Sequence, residues 1–249
     1  MSASAWQPSF FKVHSERMRR VLLSWSGGKD SAWALHVLSR TPDLTVAALL
    51  TTFNEAHDRV AMHAVRRTLI EAQAEAAGIP LTPVMLPWPC SNAEYESRMA
   101  AACRRAVAAG IQAVAFGDLF LTDIRQYRER QLAGTGLDPL FPIWGLPTRE
   151  LAHEMIATGL RARLTCIDPK VLSRDFAGRE FDAALLADLP SGVDPCGENG
   201  EFHSFVYDGP MFQKPIPVTA GEILERDGFV FADLLPRSAL PDTPAPTPA

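Results

Sequence analysis

The segment that most constrains this chain is LLSWSGGKDSAWAL at 22–35, where an apolar run passes through two glycines, a lysine and an acid before it becomes apolar again. This order indicates a strand, a tight loop and the start of a helix. In open α/β sheets such a loop offers unpaired backbone amides and the positive end of the helix dipole to an anion. Gly27 and Gly28 allow close approach of the backbone and Lys29 adds a charge, so the segment predicts a phosphate-binding loop.

The spacing inside the loop excludes the two commonest phosphate-binding patterns. The nucleoside-triphosphatase loop G-x-x-x-x-G-K-[ST] requires glycine at position 23 and Ser or Thr at position 30, where Leu23 and Asp30 stand. The dinucleotide fingerprint G-x-G-x-x-G fails because Gly27 and Gly28 are adjacent and no third glycine follows. An acid such as Asp30 beside a polyphosphate is chemically sensible where it holds Mg²⁺.

The order of predicted elements indicates a doubly wound, Rossmann-like α/β domain over residues 18–147. Short β-rich runs alternate with longer amphipathic runs, which is typical of βαβ units around a mainly parallel sheet. We predict a five-stranded sheet with strands at 21–25, 44–52, 81–86, 111–116 and 140–144. The helices between them are predicted at 31–40, 59–77, 93–109 and about 120–133.

The pattern changes after Pro147, and residues 148–235 predict a smaller α+β domain that supplies the substrate side of a site. Helices are expected at 149–158 and 181–187, with an extended segment at 162–167. Residues 1–17 are expected to form a loosely attached leader. Residues 236–249 carry five prolines among small polar residues, a composition that favours disorder.

Composition and charge narrow the classes of function. The 249 residues are 47% hydrophobic, enough for a sizeable core. No apolar run approaches the ~20 residues of a membrane-spanning helix, and no signal peptide is evident. We therefore expect a cytoplasmic location and no membrane partner. A net charge of −5 argues against a broad nucleic-acid surface. The four cysteines lack the spacing of metal knuckles or redox pairs. The sequence leaves the oligomeric state open, and a homodimer is one of the possibilities.

A second polar segment, Gly117-Asp118, follows the fourth predicted strand and so opens onto the same sheet edge as the loop. In the next predicted helix, Arg125 and Glu129 have i,i+4 spacing and share a face. Without further context, a solvated surface ion pair is the simpler explanation of these two side chains.

The segment after the second predicted strand, NEAHDRVAMHAVR at 54–66, opens onto this edge as well. Arg59 and His63 are expected together on the first turn of the predicted helix, where they would reach an anionic substrate. A capping loop with surface histidines is the alternative interpretation.

The third informative segment is GVDPCGENGEFHSFVYDGPMF at 192–212. Asn199-Gly200 is a strong turn signal, and in the strand expected after it Glu201, His203 and Phe205 alternate onto one face. A carboxylate and an imidazole that point the same way suit acid/base work or Mg²⁺ binding. A surface hairpin that carries Glu and His by chance is equally compatible with this segment alone.

The hexapeptide S-G-G-K-D-S resembles the pyrophosphate loop of the N-type ATP pyrophosphatases, which cleave ATP between the α and β phosphates. From about Val21 to Val218 the chain resembles one family within them, the diphthine–ammonia ligases (diphthamide synthetases) and their bacterial relatives. This resemblance rests on the hexapeptide, on Gly-Asp followed by Arg125 and Glu129, on GLDPLFPIW at 136–144 and on CGENGEFHSFVYDGP at 196–210.

The resemblance implies an adenine nucleotide α-hydrolase-like sheet and a reaction in which a substrate carboxylate attacks the α-phosphorus of ATP. An acyl adenylate and pyrophosphate form, and ammonia then displaces AMP to leave an amide. The implied partners are ATP, Mg²⁺, an unidentified carboxylate-bearing substrate, and ammonia or another amine donor.

The same resemblance assigns roles to individual residues. The expected nucleotide contacts are Ser24, Ser26, Gly27, Gly28, Lys29, Asp30, Ser31, Thr51, Gly117 and Asp118, with Asp30 also holding the metal. The expected catalytic residues are Lys29, Asp30, Glu201 and His203. Weaker substrate contacts are expected from Arg59, His63, Arg125, Glu129, Glu198, Asn199 and Gly200.

The hairpin differs from the diphthine enzymes, which carry Gly-Glu-Gly-Gly-Glu-Tyr-Glu-Thr where this chain has Gly-Glu-Asn-Gly-Glu-Phe-His-Ser. The His-containing version resembles the bacterial branch, for which links to cobalamin metabolism have been suggested. Thiolation or lysidine formation on tRNA is an alternative reaction for the same scaffold, and a nucleotide-binding regulatory module without turnover is the non-enzymatic alternative.

Overall fold

The computed structural model describes residues 18–60 and 64–237. The expected leader, His63 and all but the first two residues of the expected tail lie outside these ranges. The strands are β1 Arg19–Ser24, β2 Leu44–Asn54, β3 Arg59–Val60, β4 Leu81–Leu86, β5 Ala113–Ala115, β6 Asp138–Leu140, β7 Arg161–Ile167, β8 Phe202–Asp208, β9 Val218–Arg226 and β10 Phe229–Pro236. The helices are α1 Lys29–Leu38, α2 Arg67–Ala77, α3 Asn92–Ala108, α4 Thr122–Leu132, α5 Thr148–Ala157 and α6 Ala183–Asp188, with a 3-10 turn at Arg174–Phe176.

The first sheet confirms the predicted doubly wound α/β architecture. Five strands run parallel in the order β4-β2-β1-β5-β6, and the two-residue β3 pairs antiparallel with the end of β2. Side chains on successive positions of β1 enter opposite layers: Val21 and Leu23 join one core cluster, whereas Leu22 joins another. Both faces of the sheet are therefore covered by helices, as parallel sheets require.

Two predicted boundaries are wrong. The helix expected from residue 59 begins at Arg67, because Arg59–Val60 pairs with β2 after a turn in which Asp58 has a positive φ of 50°. The fifth strand is Asp138–Leu140 rather than 140–144, since Pro142 lacks an amide for a ladder and the chain turns there.

The second sheet is antiparallel, in the order β8-β7-β10-β9, and together with α5 and α6 it confirms the predicted α+β character of the C-terminal part. Its inner residues, such as Leu164, Phe205 and Val230, belong to the same core cluster as Val21 and Leu23 of the first sheet. The two sheets are thus joined by a shared apolar core. No helix within the described ranges is long and apolar enough to cross a bilayer.

The sheet order decides where a ligand fits. Strand β1 lies between β2 and β5, and the chain crosses to the other side of β1 between β4 and β5. Such a reversal opens a crevice at the carboxyl ends of the two central strands. The loop at 26–31 follows β1 and Gly117-Asp118 follows β5, so both predicted segments meet at this crevice.

Candidate functional site

The loop after β1 ends in the bare N-terminus of α1. Gly28 is the N-cap residue, with an extended backbone and no side-chain cap. Hydroxyl groups shape the turn instead: the amide of Gly28 donates to Oγ of Ser26 (3.2 Å), and the Ser31 hydroxyl donates to the Gly28 carbonyl (2.9 Å). The amide of Lys29 donates to Oγ of Ser204 from β8 (3.2 Å). The turn therefore places hydroxyl groups at an uncapped helix N-terminus, where the helix dipole favours an oxyanion.

Two glycines are required here by close packing. Gly27 has a φ of 81°, and a Cβ there would lie 2.5 Å from Cδ1 of Ile70. A Cβ on Gly117 would lie 2.8 Å from the carbonyl carbon of Asp30. The loops after β1 and β5 thus touch backbone to backbone, which only glycine permits.

Lys29 is almost fully buried, with 1% of its surface exposed. Its Nζ donates to Oδ2 of Asp30 (2.9 Å) and to the carbonyl of Cys196, and it lies over the ring of Phe202 at 5.1 Å. Burial lowers the pKa of Lys29, but the charge of Asp30 and its neighbours outweighs burial and raises it. Lys29 is therefore a buried cation that links the loop after β1 to the loop before β8, which contains Cys196.

Three carboxyl groups, those of Asp30, Asp118 and Glu198, lie close enough to affect one another's pKa. Burial raises the pKa of Asp30 and of Asp118 against the lowering effects of Lys29 and Arg128, and the charge of Asp30 adds to the rise at Asp118. Burial also raises the pKa of Glu198 to about 7, although it accepts the amide of Leu119 (2.7 Å). Oδ1 of Asp30 and Oδ2 of Asp118 are buried without a hydrogen-bond partner. Such oxygens are suited to a hard cation.

Two neighbouring cavities open at this crevice. The polar one, about 230 Å³, is lined by the loop at 26–31, by Gly117 and Asp118, and by the 197–204 segment. The apolar one, about 290 Å³, lies between the sheet and helices α3 and α4, with Tyr95, Met99 and Tyr127 among its lining. Four residues line both cavities: Ser24, Ser26, Phe116 and Arg128.

The loop before β8 is organised by its own acids. Oδ2 of Asp194 accepts the amides of Cys196 (3.2 Å) and Glu198 (2.9 Å). The carboxylate of Glu201 accepts the amide of Asp194 (2.9 Å), and the amide and side chain of Asn199 (both 3.0 Å). Both carboxylates are thereby used to hold the loop.

His203, which follows on β8, lines the polar cavity. Burial and the neighbouring charge of Lys29 lower its pKa to about 4, so the imidazole is neutral near pH 7. Glu201 instead lines a separate recess with Asp168 and Asn199. The expected common direction of Glu201 and His203 is wrong, because Glu201 precedes β8 and strand alternation does not apply to it.

Family models match both halves of the chain. A model described as diphthamide synthase N-terminal domain matches residues 18–138, and one described as diphthamide synthase C-terminal domain matches residues 147–232. The chain belongs to the diphthamide synthase family. The residues that line the polar cavity are divided between the two matched segments.

Curated relatives of this family member bear the name diphthine–ammonia ligase. The one from Danio rerio is 28% identical over 235 residues, covering 86% of this chain and 91% of the relative. The one from Schizosaccharomyces pombe is 28% identical over 138 residues, 54% of this chain and 23% of the relative. The one from Homo sapiens is 30% identical over 118 residues, 45% of this chain and 44% of the relative. The matched region is thus less than half the length of the last two.

Several residues expected at the site lie away from the two cavities. Thr51 donates to the Trp25 carbonyl (2.6 Å) and so ties β2 to the end of β1. Arg125 pairs with Glu129 (2.9 Å), and its guanidinium lies over Trp144 at 4.8 Å. Neither member of that pair lines either cavity.

Arg59 also has a different environment from the one expected, since it lies in β3 and not on a helix. It donates to the carboxylate of Asp233 on β10 (2.9 Å), which Arg66 contacts as well. Burial raises the pKa of Asp233, but the bonds from both arginines outweigh burial and lower it. Arg59 is thus paired within the fold.

Sequence reasoning missed Gln73, a fully buried residue of α2. Its Nε2 donates to the carbonyls of Gly27 (2.9 Å) and Val206 (2.6 Å), and its Oε1 accepts the indole N–H of Trp25 (2.9 Å). The amide of Val206 also donates to the Gly27 carbonyl (2.9 Å). A polar residue on the apolar face of an amphipathic helix was the available signal.

Proposed function

We propose that this protein is an ATP-dependent, AMP-forming ligase that joins ammonia to a carboxylate. The observation that carries the proposal is the pair of cavities that share a wall at the N-terminus of α1. One cavity is polar and lined by loop amides, hydroxyls and acids, and the other is apolar. A nucleoside polyphosphate likewise combines a largely apolar base with a charged polyphosphate.

ATP fits this arrangement in one orientation. The β and γ phosphates lie on the loop at 26–31, where the dipole of α1 and the charge of Lys29 favour anions. The adenosine occupies the apolar cavity, where Tyr95 and Tyr127 supply aromatic surface and Gln131 a side-chain amide. The α-phosphate then lies at the wall that the cavities share.

The acids of the polar cavity fit Mg²⁺. Asp30 and Asp118 each have a buried oxygen without a partner. Burial raises the pKa of Asp118, and the nearby charge of Asp30 adds to the rise. No group of three or more His, Cys, Asp or Glu side chains suited to a metal occurs in the described ranges, so Asp30 and Asp118 would hold the ion together with oxygens of the substrate and water. When bound, Mg²⁺ neutralises charge on the polyphosphate.

The reaction proceeds in two steps. A carboxylate oxygen of the substrate attacks the α-phosphorus, the bond between the α-phosphorus and its bridging oxygen breaks, and pyrophosphate leaves with the electron pair. The nitrogen of ammonia then attacks the acyl carbon, AMP leaves, and a proton is released to form the amide. Lys29 and the loop amides hold the departing pyrophosphate, so catalysis is mostly positioning and charge stabilisation.

The proposed substrate class is a carboxylate of the diphthine type, the substrate in the name of the relatives. His203 and Ser204 stand at the polar cavity where the resembling pattern has Glu and Thr. A neutral imidazole at position 203 favours a different substrate group than a glutamate side chain would. The imidazole can donate one hydrogen bond and accept one, whereas a carboxylate only accepts. We propose this position as the one that adjusts the choice of substrate.

The test is product analysis with α-labelled ATP, Mg²⁺, ammonium and a series of carboxylates that includes a diphthine-bearing protein. The ligase forms labelled AMP and unlabelled pyrophosphate, and it does so only when a carboxylate substrate is present. Release of ADP and phosphate would refute the mechanism, and bound ATP without turnover in any mixture would favour a regulatory module. His203→Glu is the matched specificity variant: unchanged rates across the series would contradict the role given to position 203.

A further inference from the structure

Arg128 occupies a distinctive place between the two cavities. Among the four described residues that line both cavities, Arg128 alone is charged, and the others are two serines and a phenylalanine. Lys29, the other Lys or Arg side chain on the polar cavity, is engaged by Asp30 and by the Cys196 carbonyl. Arg128 is therefore the cation available at the shared wall.

Arg128 packs against Phe116 and forms an ion pair with Asp118, but its Nε–H has no hydrogen-bond acceptor. Its guanidinium lies 5.0 Å from the centre of the Phe116 ring, and its Nε lies 3.6 Å from Oδ2 of Asp118. That distance is too long for a hydrogen bond, and both atoms are buried without a partner. A buried guanidinium N–H that lacks an acceptor is costly, and a ligand oxygen removes that cost.

The chemistry of guanidinium specifies the ligand class. Arginine presents a planar fork of donors that matches the oxygens of a phosphate, and it stays protonated throughout the physiological range. The hydroxyl of Ser24 on the same wall adds a further donor. The wall is thus equipped for a phosphate that is bonded to a group in the apolar cavity.

We infer that Arg128 is a catalytic residue that binds the α-phosphate of the nucleotide and stabilises its non-bridging oxygens while the carboxylate attacks. This inference rests on the proposed function, because the position of the α-phosphate follows from the placement of ATP. Arg128 gives up no proton in the step. The bond to the attacking oxygen forms as the bond to the leaving pyrophosphate breaks, and the guanidinium offsets the charge that gathers between them.

The test is calorimetric binding of adenosine, AMP and inorganic pyrophosphate to the full chain, in the wild type and in Arg128→Met. The variant is expected to lose AMP affinity by about 10- to 100-fold, the effect of a charge-assisted hydrogen bond, while adenosine and pyrophosphate bind as before. Arg128→Lys should recover part of the loss. Arg130→Met is the matched control, because Arg130 lies on the same helix but is exposed and lines neither cavity.

Equal loss of adenosine and AMP affinity in Arg128→Met, or no loss of either, would overturn the inference. Thermal unfolding of each variant separates a local effect from a loss of fold. Selective loss of AMP affinity in a protein that forms no AMP and pyrophosphate would support the phosphate contact and refute the ligase. A wild type that binds AMP no more tightly than adenosine would refute the contact whether or not ATP is cleaved.

Discussion

The loop at 26–31 and the loop at 194–201 both carry acids, yet they use those acids in opposite ways. In the first loop an oxygen of Asp30 is buried without a partner, and burial raises the pKa of the side chain. In the second loop the carboxylates of Asp194 and Glu201 accept the loop's own amides. A carboxylate satisfied by its own loop provides rigidity, whereas one without a partner is available to a ligand.

The largest effect is expected when the unpartnered acid of the first loop is neutralised. Asp30→Asn should reduce formation of AMP from α-labelled ATP by roughly 100- to 1000-fold, since a group placed for transition-state charge is lost. The free energy of unfolding should fall as well, because the variant leaves the buried Lys29 cation without the negative charge that offsets its burial. The rate is therefore compared per amount of folded protein. Asp123→Asn, at an exposed acid of α4, is the control. Wild-type turnover in Asp30→Asn would show that the unpartnered acid of the first loop has no role in catalysis.

The next effect concerns the link between the two halves of the molecule. Gln73→Met should lower the free energy of unfolding by about 3 kcal/mol, because the carbonyl of Val206 and the indole N–H of Trp25 lose their buried partner. Urea denaturation measures this change. Gln126→Met, on the exposed side of α4, controls for the loss of an amide. A Gln73→Met variant as stable as its control would show that the hydrogen bonds of Gln73 do not stabilise the docked sheets.

A smaller loss is expected when the satisfied acid of the second loop is changed. Glu201→Gln should lower the free energy of unfolding by about 2 kcal/mol, since the amide cannot accept all three hydrogen bonds that the carboxylate receives. The rate of AMP formation should then fall only as far as folded protein is lost. A fall in rate comparable to that of Asp30→Asn, with stability intact, would instead support the catalytic role that the sequence predicts for Glu201.

The smallest effect is on the pH dependence of stability. The pKa of Glu198 is about 7 in the folded protein and 4.5 when unperturbed, so the folded state holds the extra proton between these values. The free energy of unfolding therefore falls as pH rises through this window, by about 1 kcal/mol once solvent screening of this half-buried group is allowed for. Glu198→Gln should remove that fall, as measured by urea denaturation from pH 4.5 to 7.

His203 provides the opposite slope as a control on Glu198. Its pKa is about 4 in the fold and 6.5 when unperturbed, so the unfolded state holds the extra proton and stability rises with pH across that range. His203→Gln should flatten this rise. If both variants shifted the pH profile in the same direction, the assigned environments of the two side chains would be wrong.

Much of the fold could be predicted from the sequence because its signals are local. The parallel strands carry apolar runs that suit two buried faces, and Gly78 ends α2 at a φ of 68° as a helix-terminating glycine does. The exceptions are short segments. Arg59 carries no local signal that separates a two-residue strand from the start of a helix, because the pairing with β2 decides it.

The site could be predicted only in part, because local signals do not show which residues come together from distant segments. The loop at 26–31 and Gly117-Asp118 were located from their positions after strands. The family resemblance predicted substrate contacts from Arg125 and Glu129, whereas Arg128, on the same helix, is the residue that lines both cavities. Which side of a helix faces a ligand depends on how that helix rotates when it packs, and spacing within the helix does not determine that rotation.

The sequence by itself determined the glycine-rich loop at 26–31, its difference from the triphosphatase pattern and the edge of the sheet where it opens. These properties depend on neighbouring residues: two glycines, a helix start and the acid at position 30. Only the tertiary structure decided how the polar backbone groups of this loop are paired, because their partners come from distant segments. Ser204, 175 positions away, accepts the amide of Lys29, and Gln73, 46 positions away, holds the carbonyl of Gly27. Hydrogen-bond satisfaction, and with it the reactivity of each polar group, is a property of the packed chain.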